Sequence, residues 1–419
     1  MSLISVEDAL SRVLASVDKP VGIEHVPLAA CAGRTLAEDV DARRDQPPFP
    51  ASAMDGYAVR SADCAEVPAT LRVIGTSAAG NRFSGTTIGV MEAVRIFTGA
   101  PVPDGADAVV LQEDTERSGD HVVVKEAARS SRHIRAAGLD FRAGDVLLQA
   151  GLRLDSRHIA LAAAMGHGAL PVHRKPRVAI LATGDELVRA GDPVGSDQIT
   201  ASSLPATMLM VEKAGAEAID LGIARDTLES LDDRIRAAED AGADILVTLG
   251  GASVGEHDLV QKALSRHGMD LGFWRVALRP GKPLMHGRLG SILLLGLPGN
   301  PVSSLVCAVL FLVPAIRALL GDAQAGDDPS EMAVLGADLP ANGPRQDYMR
   351  AALAFKEFDI DPTLGVQRMR LPVATPHLIQ DSSMLSILER SDALLVRPPH
   401  APAAQAGEPC QIIRLERFC

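Results

Sequence analysis

Between residues 174 and 320 short β-branched apolar runs alternate with segments of helix length, and this alternation restricts the fold more than any other feature of the chain. Residues 178–182, 218–222, 245–249, 274–278 and 292–295 read as strands. Residues 204–214, 228–241, 258–266 and 303–320 read as helices. Strands separated by helices of about 10 to 15 residues imply βαβ units and a parallel sheet. In such sheets ligands bind beyond the carboxyl ends of the strands, so the loops there are where chemistry is expected.

The flanking regions have a different texture. Ser5, with Asp8 three residues on, looks like an N-cap, and Val6, Leu10, Val13, Leu14 and Val17 follow at helical spacing over about residues 5–17. From Gln46 to about Leu148 short strand-like runs are broken by Gly, Pro and Asp, and a helix-like stretch resumes at 156–165. Residues 1–45 and 147–172 are therefore expected to form one discontinuous, elongated helical domain around a β-rich insert, 46–146. Residues 173–327 form the α/β unit, with a Gly- and Asp-rich linker at its end. Residues 328–419, with five strand-like runs, form a small β-barrel-like domain. The expected fold class is multidomain α/β plus all-β.

Charge and composition exclude several functions. The 419 residues carry 41 Lys plus Arg against 53 Asp plus Glu, a net −12, so no global positive field draws the chain to nucleic acid or to an anionic membrane. Twelve aromatic residues are too few for single-strand stacking platforms. Five scattered cysteines without C-x-x-C spacing fit a reducing compartment and no zinc site. The N-terminus lacks the basic and apolar regions of a signal peptide. The apolar run from Pro301 to Ile316, interrupted by Ser303, Ser304 and Pro314, reads as a buried helix. A cytoplasmic protein without nucleic-acid or membrane partners is expected, and any anionic ligand must be held locally.

Four polar, glycine-bearing turns follow strands of the α/β unit: Thr183-Gly184-Asp185-Glu186; Gly250-Gly251 through Ser253, Gly255, Glu256 and Asp258; Arg279-Pro280-Gly281-Lys282-Pro283; and Pro298-Gly299-Asn300-Pro301 up to Ser303. A Gly-Gly turn alone is most often a tight connection, because glycine takes positive φ freely. Folding does not require all four turns to be ligand-like, so their conjunction points to a binding site. Backbone amides at the helix start near Ser303, with Lys282, would hold an anion. G-x-x-x-x-G-K-[ST], G-x-G-x-x-G and H-E-x-x-H are all absent, which argues against P-loop, dinucleotide and zincin chemistry. In the insert, Asp55-Gly56 alone would read as a hairpin turn.

Residues 47–59 (Pro-Pro-Phe-Pro-Ala-Ser-Ala-Met-Asp-Gly-Tyr-Ala-Val), Phe97-Thr98-Gly99-Ala100, Thr183-Gly184-Asp185-Glu186-Leu187, residues 250–258, Pro280-Gly281-Lys282-Pro283 and residues 297–303 together resemble the molybdopterin molybdenumtransferase (MoeA and gephyrin E-domain) family, in order and over nearly the whole chain. The resemblance implies a molybdenum insertase that binds adenylylated molybdopterin and molybdate, hydrolyses the adenylyl bond with a divalent cation such as Mg2+, releases AMP and passes the metal to the dithiolene. It also implies an elongated homodimer in which the insert of one subunit faces the α/β domain of the other. Molybdopterin adenylyltransferase and molybdoenzyme apoproteins or their chaperones are the partners it suggests.

By position, Asp55 matches the family's insert carboxylate, Thr98 its hydroxyl and Asp140 a further acid. Glu186, Asp226 and Asp258 match the acids of the α/β domain, as catalytic groups or metal ligands. Pro298 and Pro301 match its bracketing prolines, and Arg350 a basic residue of the C-terminal domain. Departures are Ser203 where Asn is usual, Arg279 for Lys, Gln380-Asp381-Ser382-Ser383 for a Gly-containing turn, and Asp392 for Asn. Hard oxygen donors at Glu186, Asp226 and Asp258 suit magnesium. The alternatives are a non-catalytic molybdopterin-binding or scaffold protein of this fold, and a general metal-dependent phosphohydrolase.

Overall fold

A computed structural model describes residues 3–251, 259–359 and 368–419. Its central element is a six-stranded mixed sheet in the order Glu217–Ala224, Arg177–Thr183, Ile245–Leu249, Ile292–Leu297, Pro283–Leu289, Asp270–Arg275. The first four strands are parallel, Pro283–Leu289 runs against them, and Asp270–Arg275 pairs antiparallel to Pro283–Leu289 at the edge. Residues 274–278 therefore do not form the parallel strand expected of them. Trp274 and Arg275 end an edge strand paired antiparallel, Leu278 turns to the C-terminal domain, and the turn at 279–283 leads into Pro283–Leu289, for which no strand is expected from the sequence. That strand joins Ile292–Leu297 through Gly290-Ser291, a two-residue hairpin turn made possible by Gly290 at φ +58°.

Strands buried on both faces read as continuous apolar runs, and Ile245–Leu249 and Ile292–Leu297 are buried at every position. On one face lie the helices Ser203–Ala214 and Pro301–Leu319, and on the other Leu228–Asp240 and Leu259–Arg266. Pro301–Leu319 has a mean hydropathy of 2.2, enough by composition to cross a membrane, yet 78% of it is buried within the fold. It is the core helix of this unit. A π-turn over Ala308–Leu312 precedes Pro314, which has no amide to give to the preceding turn.

The first helix, Val6–Ala15, is capped by Ser5 Oγ, which accepts the Asp8 amide at 3.0 Å. It does not pack in the discontinuous domain where its position in the chain would put it. Its apolar stripe, Val6, Ala9 and Val13, joins the α/β core, and Ala277 N donates to Ile4 O at 2.7 Å. Ile23–Pro27 pairs with Ala169–His173, and Val40–Asp41 with Val146–Leu148, on either side of the insert. The insert carries its own six-stranded sheet, in which Gly56–Val59 lies between Glu92–Ile96 and Ala108–Leu111.

In the C-terminal domain, Gln346–Asp359, Arg368–Pro376, Glu331–Leu335, Pro409–Arg414 and Ala393–Arg397 pair in that order. The last returns to the first, closing a five-stranded barrel. Leu278–Arg279 of the α/β unit adds in parallel to Gln346–Asp347, so the barrel is hydrogen-bonded to the turn at 279–283.

Candidate functional site

Above the carboxyl ends of the parallel strands lies a cleft of about 1340 Å³, walled by the α/β unit and the C-terminal barrel. The strand order arranges its charge. Asp226 follows the outermost parallel strand, Thr183–Glu186 the next, Gly250-Gly251 the third and Pro298–Ser303 the fourth, while Arg279–Lys282 sits at the start of the antiparallel strand beyond. Along the strand ends of the α/β unit carboxylates thus lie at one end, glycines in the middle and cations at the other, and the barrel adds Asp381 to the wall beside the fourth turn. At about 4.8 Å per strand the two charged ends lie roughly 14 to 19 Å apart.

At the acidic end Asp226 N donates to Asp185 Oδ1 at 3.2 Å, and the Glu186 carboxylate folds back over Gly184, whose φ is +147°. The Asp226 carboxyl is held above the usual carboxylate range, first by partial desolvation and then by the charges of Asp185 and Glu186. Among the described residues no three His, Cys, Asp or Glu side chains form a closed metal cage. Mutually repelling hard oxygens nevertheless fit a divalent cation that keeps waters and takes substrate phosphate as ligand. Ser253, Gly255, Glu256 and Asp258 lie outside the described residues.

The middle of the cleft separates structural glycines from an open one. A Cβ on Gly250 (φ +99°) would meet Thr183 O at 2.9 Å, and one on Gly251 (φ +63°) would meet Val260 Cγ2 at 2.1 Å, so the fold itself demands both. A Cβ on Gly299 would meet only Gly250 Cα, at an ordinary 3.6 Å. At the adjoining helix start the expected array of free amides is thinner than the sequence suggests. Pro301 has none, and Val302 N donates to Ser382 O at 3.1 Å. Asn300 Nδ2 donates to Ser382 Oγ at 3.1 Å, and Ser303, buried, lines the cleft.

At the cationic end Lys282 is exposed and carries no ion pair among the described residues. Gly281 (φ +112°) packs against Cys307 Sγ, where a Cβ would approach to 2.5 Å. Arg279 pairs with Asp347, a barrel carboxylate only 3% exposed. Burial raises the Asp347 carboxyl, and the Arg279 hydrogen bond opposes that rise. Arg345, beside it, also lines the cleft. Sequence reasoning missed Arg345 and Asp347, because only the pairing of 278–279 with 346–347 brings them to the site.

Arg350 is not on the cleft surface. It is 1% exposed, its Nε and Nη2 donate to Gln380 Oε1 at 3.1 and 3.0 Å, and its Nη1 donates to Asp381 O at 2.5 Å. It braces from behind the loop 380–383 whose Gln380, Asp381, Ser382 and Ser383 form the cleft wall. Ser203 lines the cleft at the start of its helix, and Asp392 Oδ2 accepts the Leu353 amide at 2.7 Å, away from it.

The insert residues lie elsewhere. Asp55-Gly56 is not a hairpin turn: Gly56 begins a central strand, where a Cβ would strike Val110 O at 1.8 Å. Asp55 Oδ1 accepts both Thr98 N and Thr98 Oγ1 at 2.8 Å, and these two donors hold its carboxyl below the usual range. Asp55, Thr98 and Asp140 are exposed, none lines the cleft of its own chain, and each follows or is preceded by an exposed apolar residue: Met54 (42%), Phe97 (39%) and Leu139 (64%).

Three family models cover the chain: the MoeA N-terminal region (domain I and II) over residues 4–166, a probable molybdopterin binding domain over 179–318, and the MoeA C-terminal region (domain IV) over 332–415. The molybdopterin molybdenumtransferase of Haemophilus influenzae is 34% identical over 97% of both chains. That of Bacillus subtilis is 33% identical over 98% of this chain and 94% of its own. Two solved structures of the molybdopterin biosynthesis MoeA protein from Pyrococcus horikoshii match with TM-scores of 0.82 and 0.81, at 30% and 26% identity, over 99% and 98% of this chain and 99% of theirs.

Proposed function

The chain belongs to the MoeA family of molybdopterin molybdenumtransferases and is a transferase of molybdenum cofactor biosynthesis; from that premise we propose that its cleft binds adenylylated molybdopterin together with molybdate, hydrolyses the adenylyl bond with release of AMP, and passes molybdenum to the dithiolene. The observation that carries this reading is the segregation of charge along the strand ends. A substrate bearing phosphates needs cations to hold it, and its cleavage needs carboxylates for a cation and for water, at a separation of substrate length.

Lys282 and Arg279 hold phosphate or molybdate oxygens, and Gly299 and Ser303 leave backbone and hydroxyl donors open between them. Glu186 or Asp226, with Asp258 from outside the described residues, would hold Mg2+. When bound, that ion polarises the phosphoryl oxygen and neutralises developing charge. Of the protein groups themselves, whichever of Glu186 and Asp226 does not hold the ion orients the attacking water and accepts its proton.

Asp55 and Thr98 act in the cleft of a second subunit. Support for that homodimer is the exposure of both residues away from their own cleft, beside Met54 and Phe97. In the cytoplasm the chemistry places a molybdopterin adenylyltransferase before this step, and molybdoenzyme apoproteins or their chaperones after it. The test is molybdate-dependent AMP release from adenylylated molybdopterin by purified protein. Stoichiometric binding without AMP release would instead make the chain a carrier.

A further inference from the structure

Within that functional reading, we propose that Arg345 is a binding residue for a tetrahedral oxyanion, contributed to the cleft by the C-terminal barrel, and that Asp347 is the positioning residue that sets Arg345 and the 279–283 turn in common register. Arg345 lines the cleft, is partly buried, and has no ion pair or side-chain hydrogen bond among the described residues. A guanidinium at a cleft wall whose N–H groups have no direct hydrogen-bond partner among the described residues, with its nearest countercharge, Asp347, already paired to Arg279, leaves its donors open to an anion. Its planar fork suits two oxygens of a phosphate or molybdate.

The backbone beneath it is fixed before any ligand arrives. Asn342 Nδ2 donates to Arg345 O at 2.9 Å and to Pro398 O at 2.8 Å, and Gln346 N donates to Ala277 O at 2.9 Å. Two residues on, the buried Asp347 carboxylate takes the Arg279 guanidinium and attracts Arg345 through space. Arg279 is thus tied to the barrel, and Lys282, three residues along the same turn, is left free to follow the ligand. Arg279 held by Asp347, Arg345 on a fixed backbone and the exposed Lys282 form the cationic end, assembled across a domain boundary.

The experiment titrates wild type, Arg345→Gln, Arg345→Lys and Asp347→Asn calorimetrically with molybdate and, separately, with AMP, after circular dichroism and thermal melts establish that each is folded. Wild-type binding of either ligand is required by the functional reading itself, so binding of neither overturns that reading and this inference together. Given wild-type binding, Arg345→Gln should weaken one of the two ligands by roughly tenfold or more, with Arg345→Lys in between. Which ligand weakens says whether the oxyanion is molybdate or the adenylyl phosphate. Unchanged affinity for both in Arg345→Gln overturns the assignment; if that variant does not fold, Arg345→Lys decides in the same way.

Asp347→Asn makes the cleft more positive by one charge, so simple attraction would tighten binding. Positioning instead requires binding of the same ligand to weaken, by roughly threefold to tenfold, with KM for AMP release raised and kcat within about twofold. Tighter binding, or a fall in kcat that tracks a lower melting temperature, overturns the positioning role.

Discussion

The carboxylates of the α/β cleft and the carboxylate of the β insert are built in opposite ways. Asp226 sits partly desolvated beside Asp185 and Glu186, an arrangement that penalises its charge. Asp55 receives two Thr98 donors on one oxygen and has its charge stabilised. The first site has one backbone hydrogen bond from Asp185, which does not offset the desolvation and like charges, and it improves when a cation or proton arrives, as expected where chemistry is done. The second is satisfied and rigid, but has no cleft of its own. A preorganised anion on an exposed surface is suited to completing a site made by another molecule, and the homodimer proposal rests on this contrast.

The largest effect separates the two regions directly. Asp55→Asn and Glu186→Gln should each fold normally and each reduce AMP release by roughly a hundredfold or more. Mixed under conditions that exchange subunits, the two inactive proteins should regain activity, because one cleft in each heterodimer then has an intact acid on both sides. Exchange proven by mass spectrometry without recovery would mean that Asp55 does not serve a partner's cleft.

Next in size is the cationic end. Lys282→Ala should weaken oxyanion binding by roughly 10- to 150-fold, about 1.5 to 3 kcal/mol for a lost charge-assisted contact. The loss should be greatest at low ionic strength, since Lys282 is exposed. An equal change at the insert, for example from Thr98→Val, measured on a single subunit, would erase the distinction between the regions.

A smaller effect sharpens the comparison inside the cleft. Gly251→Ala should lower stability by about 2 kcal/mol, because its φ is +63° and Val260 fills the space of a Cβ. Gly299→Ala meets nothing closer than 3.6 Å and should melt within a few degrees of wild type, while binding molybdopterin less well. A folded Gly299→Ala protein with unaltered binding would remove Gly299 from the ligand's path.

These positions show how far the sequence could be read. The buried β-branched runs at 178–182 and 245–249, the Ser5 cap and the polar turns after the strands carry local signals of pattern and capping, and the cleft-lining residues of three turns follow from them. The family resemblance supplied Asp55, Thr98 and Asp226, which no local pattern marks. What escaped depends on distant pairing. The first strand of the hairpin, Pro283–Leu289, carries His286, Gly287 and Arg288, which mask its strand pattern in the sequence until the turn at Gly290 pairs it with Ile292–Leu297. Arg345 enters the site only through the 278–279 to 346–347 pairing, and Arg350, equally basic in sequence, turns inward to Gln380. The helix start lost an amide to Ser382, 80 residues along the chain from Val302. Charge and residue type alone do not distinguish a cation facing ligand from one bracing a loop.

The finest test of the contrast is titration of the two aspartates in metal-free protein, followed by carbon NMR of their carboxyl groups. Asp226 should titrate above the ordinary carboxylate range and Asp55 below it. The signs for stability are opposite. Asp55 is depressed in the folded state, so its contribution is present above the unfolded pKa and is lost as pH falls through the folded one. Asp226 is raised, so its ionised form weighs against folding above that pKa and acidification relieves the strain. Glu186→Gln removes one of the charges that raise Asp226 and should move its titration down while leaving Asp55 in place. Thr98→Val should do the reverse, moving Asp55 up and leaving Asp226 unchanged, because it removes the hydroxyl donor but not the amide. If both aspartates titrate together in the ordinary range, or if either substitution moves both, the two regions do not have the independent electrostatics on which a shared intersubunit site depends.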